Sequence, residues 1–151
     1  MATQYNGGQT SGSILTAATM NSIGAAWETW TPAVTQSGAV TATVTLGRYM
    51  RIQKLVIAVA KLAITGTGTT NNAVKVSLPI TAKDSGQIVG SGFIYDASTN
   101  LTYLVTAESD STTTTSFYAD GNAGASFWGQ TPNVAITNLD QINITLMYEA
   151  A

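Results

Sequence analysis

The chain has neither cysteine nor histidine. That excludes disulfides, cysteine nucleophiles, Ser-His-Asp triads and zinc held by thiolate or imidazole. Charge is nearly as scarce, at 9% of residues against about 25% in ordinary soluble domains. Long apolar runs are missing too. The most apolar stretch, residues 55–64, is interrupted by Lys61 and far shorter than the roughly 20 residues a membrane-spanning helix needs. The N-terminus shows no basic region followed by a long apolar one, so no signal peptide and no membrane insertion are expected. With a pI near 4.7 and no basic cluster beyond Arg48, Arg51 and Lys54, nucleic-acid binding is not expected either.

What is present is polar without being charged. Threonine fills 25 of the 151 positions, while hydrophobic residues make up 44%. That apolar content separates the chain from disordered sequences. The length suits one domain, able to hide about 68–70% of its unfolded surface. Low charge with high apolar content suggests that other subunits cover part of the surface; the competing reading is a monomer solvated by hydroxyls and amides. The charges are also sorted. Residues 1–47 contain only Glu28, residues 48–83 hold all six bases, and residues 84–151 hold the other seven acids.

Residues 1–26 read as an N-terminal arm. Its first thirteen residues are rich in Gly, Gln, Ser and Thr. Thr16 then stands as a plausible N-cap before a short helix ending at Gly24, which needs a docking surface to be stable. From Trp27 to residue 151 the pattern is strand. Val40, Ala42, Val44 and Leu46 alternate with Thr41, Thr43 and Thr45, the period of a half-buried strand, and Gly47 suggests a bulge. Residues 55–64 are apolar on both faces and predict a central strand, or one whose outer face meets another subunit. Further strands are predicted at 73–78, 87–95, 101–107, 112–119 and 141–149, with Ile142, Ile144, Leu146 and Tyr148 on one face of the last. Turn-forming residues lie between them. The expected fold is all-β: an antiparallel β-sandwich of jelly-roll kind with a short N-terminal arm and one short helix.

Little chemistry fits this composition. A carboxylate acid–base pair is the one common catalytic route left, drawn from Asp96, Glu108, Asp110, Asp120 and Asp140, yet each sits in or beside a predicted turn, where Asp ordinarily accepts backbone hydrogen bonds. No catalytic residue, metal ligand or cofactor is therefore assigned. Calcium at the Asp120 loop lacks EF-hand spacing. Most aromatics of a sandwich fill its core, but Trp128, next to Phe127 in a Gly-rich loop, is the best candidate for an exposed sugar contact, with Asn122 nearby.

One ordered series of segments resembles a widespread group of tailed-bacteriophage virion proteins that carry a small surface β-sandwich. It runs from Leu15-Thr16-Ala17-Ala18-Thr19-Met20-Asn21 through Trp27 and Trp30-Thr31-Pro32 to Gly47-Arg48-Tyr49-Met50-Arg51-Ile52-Gln53-Lys54-Leu55-Val56. Ser77-Leu78-Pro79, Gly90-Ser91-Gly92-Phe93-Ile94-Tyr95-Asp96 and Ile144-Thr145-Leu146-Met147-Tyr148-Glu149 complete it. Related proteins often have Gly in place of Gln53, which weakens the expectation of a tight hairpin turn at Gln53-Lys54.

The resemblance implies a virion protein, assembled in the host cytoplasm, homotrimeric and non-enzymatic. A capsid decoration protein would dock on the major capsid protein through its arm, with Ile14, Leu15, Thr16, Met20 and Ile23 as contacts. A tail protein or receptor-binding tip would instead use outer loops to grip host-surface glycan. Receptor tips usually follow a long shaft, which favours decoration for this chain. Arg48, Arg51, Lys54 and Lys61 are candidates for a basic flank that meets the acidic flank of the next subunit, since charge complementarity sets register and partner choice. The alternative is that basic and acidic segments pair inside one subunit.

Overall fold

The computed structural model describes residues 26–119 and 126–151. These form ten antiparallel strands: β1 (Glu28–Thr29), β2 (Val34–Gln36), β3 (Gly38–Val40), β4 (Ala42–Ile52), β5 (Leu55–Ile64), β6 (Lys75–Ser77), β7 (Ile88–Asp96), β8 (Leu101–Glu108), β9 (Thr114–Ala119) and β10 (Gln141–Glu149). Their order in the sheet is β1-β4-β5-β10-β7-β8-β9-β6-β2-β3. The all-β, antiparallel expectation is met. The ladder runs unbroken through all ten strands, as a curled half-barrel. No helix occurs among the described residues, and the predicted short helix lies outside them.

The curl follows from chain connectivity. β3 is the last strand of the sheet and β4 the second, yet only Thr41 separates them. The two ends of the sheet must therefore approach each other. Thr41 pins this corner, its carbonyl accepting from the amides of Thr65 and Gly66 at 2.9 and 3.0 Å. One face of the curl encloses a single core. Val56, Ala58, Ala60, Leu62 and Ile64 of β5 lie beside Ile142, Ile144, Leu146 and Tyr148 of β10, as the alternation predicts. Ile94, Val105, Phe117, Val76 and Val34 continue the core round the curl.

β4 departs from its simple alternation. The ladder shifts between Val44 and Leu46, so the bulge is at Thr45 and not at Gly47. Thr45 donates its hydroxyl to the Lys61 carbonyl at 2.9 Å. The extra residue reverses the faces, and Leu46 turns outward while Val44 packs on the core. Gly47 is needed for a different reason. A Cβ there would stand 2.0 Å from the Trp30 carbonyl oxygen, which the segment following β1 lays against it.

The short strands β2 and β3 escaped the sequence pattern. They are held by tertiary contacts around Gln36, whose side chain is buried. Its Nε2 donates to the carbonyls of Asn72 and Val134 at 3.0 and 2.8 Å, and its Oε1 accepts from the Ile136 amide at 2.8 Å. One amide thus ties β2 to two long loops. The second of these loops fills the open side of the curl with Trp128 and Ile136, both fully buried. Tyr148 makes a similar clamp, donating to the Ile80 carbonyl at 2.7 Å and accepting from the Ile80 amide at 3.2 Å. Burial pushes its phenol up to about 12.

The β4–β5 turn is tight despite the absence of glycine. Gln53 and Lys54 alone connect the strands, with Gln53 at φ 55°. A non-glycine residue in this region costs about 1–2 kcal/mol. Gln53→Gly is expected to raise stability by about 0.5–1 kcal/mol, read as a shift in the urea midpoint, because the gain at this φ is offset in part by the greater freedom of glycine in the unfolded chain. Gln36→Leu, which orphans three backbone groups, is expected to lower stability by about 2–4 kcal/mol in the same measurement.

Candidate functional site

The sequence candidates separate once placed in the fold. Ile14, Leu15, Thr16, Met20, Ile23, Asp120 and Asn122 lie outside the described residues. Trp128 does not serve as an exposed platform. It is 0% exposed, with its ring edge-on to Tyr103 at 5.9 Å between centroids. The loop that carries it turns inward, because Trp128 makes backbone bonds with Phe117 and Val74. A flat apolar ring in a Gly-rich loop is compatible with either side of a sheet, and the sequence holds no signal to choose.

The acids are engaged in turns. Asp96 and Asp140 are both buried. Asp96 Oδ1 alone accepts from the Ser98 amide and hydroxyl at 2.9 and 2.7 Å and from the Thr99 amide at 3.3 Å, closing the β7–β8 hairpin. Asp140 uses both oxygens: Oδ1 takes the Ala97 amide at 2.8 Å and Oδ2 the Thr137 amide at 2.7 Å. Burial raises the Asp140 carboxyl above its ordinary value, and the neighbouring Asp96 charge adds to this. For Asp96 burial is the largest single influence and acts upward, but the hydrogen bonds from Ser98 and Thr99 together outweigh it and hold the carboxyl below its ordinary value. Asp110 accepts Lys75 Nζ at 2.5 Å and the Thr114 hydroxyl at 2.8 Å. Among the described residues no three acidic side chains converge on a point that could hold a metal ion.

The bases divide into two groups. Lys75 pairs with Asp110, and Lys83 with Glu149. Arg48, Arg51, Lys54 and Lys61 all lie on the β4–β5 hairpin and make no ion pair among the described residues. Arg48 packs over the Trp27 ring at 4.6 Å from its centroid, and Arg51 donates to the Gln53 carbonyl. Pairing of basic and acidic segments inside one subunit is thus present for Lys75 and Lys83.

Register places the outward residues in rows across the sheet. Arg48, Val59, Thr145, Ser91 and Thr106 align from β4 to β8. On one side runs the row Leu46, Lys61, Asn143, Phe93 and Leu104. On the other stand Met50, Ile57 and Met147, with Ile88 beside Met147. Leu104 and Met147 are each 61% exposed and Ile88 62%. The Leu46 row and the Arg48 row together border a groove, with Ala60, Gly92 and Ile144 between them. This furrow, about 380 Å³, is lined by Leu46, Arg48, Val59, Ser91, Phe93, Asn143 and Thr145. The hydroxyls of Ser91, Thr106 and Thr145 and the amide of Asn143 have no protein partner among the described residues. Leu46 reaches this wall only because of the Thr45 bulge. Gly92 lets β7 close on β10, since a Cβ would stand 1.9 Å from the Asn143 carbonyl oxygen.

Comparison with known protein families, curated proteins and solved structures finds no match. The functional reading rests on the residues and their geometry.

Two tests follow from the buried groups. Trp128→Ala is expected to cost about 3–5 kcal/mol of stability in urea unfolding, the cost of emptying a core site. For the acid pair, Asp96→Asn keeps a single accepting oxygen where one suffices, whereas Asp140→Asn turns an NH2 group toward an amide donor. At neutral pH the second is expected to cost about 1–3 kcal/mol and the first under about 1 kcal/mol. Their pH dependence differs in sign. Asp96 contributes stability that is present above the ordinary carboxyl value of 3.8 and is lost as the pH falls below it. Asp140 holds its proton more tightly when folded, so its share is present in acid and is lost as the pH rises above 3.8. Unfolding midpoints measured across the acid range up to neutrality should show each variant lacking its own limb.

Proposed function

We propose that the protein is a non-enzymatic structural protein of a tailed-bacteriophage virion, a capsid decoration protein that assembles as a homotrimer and docks on the major capsid protein through residues 1–26. One observation carries the assembly part of this reading: the four bases of the β4–β5 hairpin have no acidic partner among the described residues, while Lys75 and Lys83 are neutralised within the chain. An unneutralised basic flank on a chain of net charge −2 is suited to an acidic surface of a neighbour. The non-enzymatic reading is supported by the lack of histidine and cysteine and by the commitment of Asp96 and Asp140 to turn amides. The virion location is supported by the ordered resemblance along the chain. A jelly-roll sandwich belongs to the same reading, and the facing walls of the curled sheet are compatible with it.

A second reading, a tail-fibre or receptor-binding tip that recognises host-surface carbohydrate, is supported by the furrow with its unpartnered hydroxyls and amide.

Sedimentation of the full chain tests the assembly. A trimer that dissociates as salt is raised from about 0.05 to 1 M, and that is lost in the Arg51→Glu, Lys54→Glu double variant, is the expected result. A monomer under all conditions removes the assembly reading. Cryo-EM of intact particles then distinguishes capsid from tail, and loss of capsid binding on deletion of residues 1–26 identifies the anchor.

A further inference from the structure

We infer that the furrow across the outer face of β4, β5, β10 and β7 binds a carboxylated oligosaccharide, a short run of uronic-acid-type units. This rests on the surface-recognition reading given second above and names its site and ligand class.

The floor and walls offer three kinds of contact. Ser91 and Thr145 present hydroxyls and Asn143 an amide in the groove, with the Thr106 hydroxyl opposite Ser91 at its β8 margin, all without a protein partner among the described residues. Hydroxyls and amides both donate and accept, as the hydroxyls of a sugar do. Phe93 and Val59 supply apolar surface within the groove for the C–H faces of a sugar ring. Arg48 lines the β4–β5 end of the groove, and Lys61 stands just outside its lining, opposite Leu46 and Asn143 in register; neither makes an ion pair among the described residues, and no acidic residue lines the groove. Arg48 is steadied by the Trp27 ring, so less of its freedom is left to lose when it takes a carboxylate in bidentate fashion. The volume of about 380 Å³ falls in the range of small-ligand sites. The furrow crosses the strands, which repeat every ~4.8 Å, a step comparable with the length of one pyranose unit.

Other occupants fit less well. A nucleic acid needs more than two phosphate contacts to bind an acidic protein. A dry contact with a second copy would desolvate three hydroxyls and an amide that have no partner among the described residues. A neutral glycan would leave the two cations unused. The carboxylated saccharide satisfies the hydroxyl floor and the cationic end together.

Calorimetric titration of the full chain with oligogalacturonate of defined length tests this. Controls are the same oligomer with its carboxyls reduced to alcohols, and inorganic sulfate. Saturable binding of the acidic oligomer is expected, weakened about tenfold or more by Arg48→Gln, by Lys61→Gln and by carboxyl reduction, the loss of one charge-assisted contact. Lys83→Gln, an equal change of charge at a base paired with Glu149 outside the furrow, should leave affinity unchanged, and unfolding midpoints show that each variant is folded. The inference is overturned by no binding, by equal binding of the reduced oligomer, by complete competition from sulfate at equal concentration, or by an equal loss in Lys83→Gln. Particle location is measured independently, so a negative titration with the protein still on the virion sinks the ligand and leaves the virion reading standing.

Discussion

A single residue between two strands governs the shape of this molecule. β3 and β4 lie near opposite ends of one hydrogen-bonded sheet, yet Thr41 alone links them. A flat ten-stranded sheet cannot satisfy that link. The sheet must curl, and curling creates an inner face, an outer face and an open side. The inner face takes the alternate apolar residues of β5, β7 and β10. The open side is closed by the loop that carries Trp128 and Ile136, fixed by the Gln36 amide. Because that amide satisfies three backbone groups, the closure is specific in place and not merely hydrophobic.

The outer face inherits its character from what the core leaves over. Threonine suits the exposed side of a pleat, so hydroxyls accumulate there. Small irregularities then shape it. The bulge at Thr45 turns Leu46 outward, and the glycines of β7 let that strand close on β10. Charge adds polarity: the hairpin end of the sheet keeps four bases without ion pairs among the described residues, while Lys75 and Lys83 are paired with acids elsewhere. Assembly and ligand recognition both draw on this leftover charge, with Arg48 and Lys61 beside the furrow and Arg51 and Lys54 at the hairpin end.

Much of the strand pattern was legible because alternation is local. β5, β7, β8 and β10 begin and end within about two residues of where periodicity places them. β2 and β3 were not, since three-residue strands carry too little pattern and depend on Gln36 and its distant partners. The β4–β5 turn was underestimated because Gln53 is not glycine, but the long ladder of β4 with β5 compensates for its unfavourable φ. Trp128 proved illegible for a related reason. Burial of a loop aromatic is decided by backbone bonds to Phe117 and Val74, which the local pattern does not encode.

The sequence by itself determined the all-β class, the positions of the long strands, the lack of histidine and cysteine chemistry, and the sorting of charge into blocks. These are properties of composition and of period two, which act over a few residues. Only the tertiary structure decided that the sheet is one curled ladder, that Trp128 faces inward, which bases find acids, and that four strands bring Arg48, Val59, Ser91, Asn143 and Thr145 to one furrow. Each of those depends on register between strands far apart in the chain, where a shift of one residue exchanges the two faces.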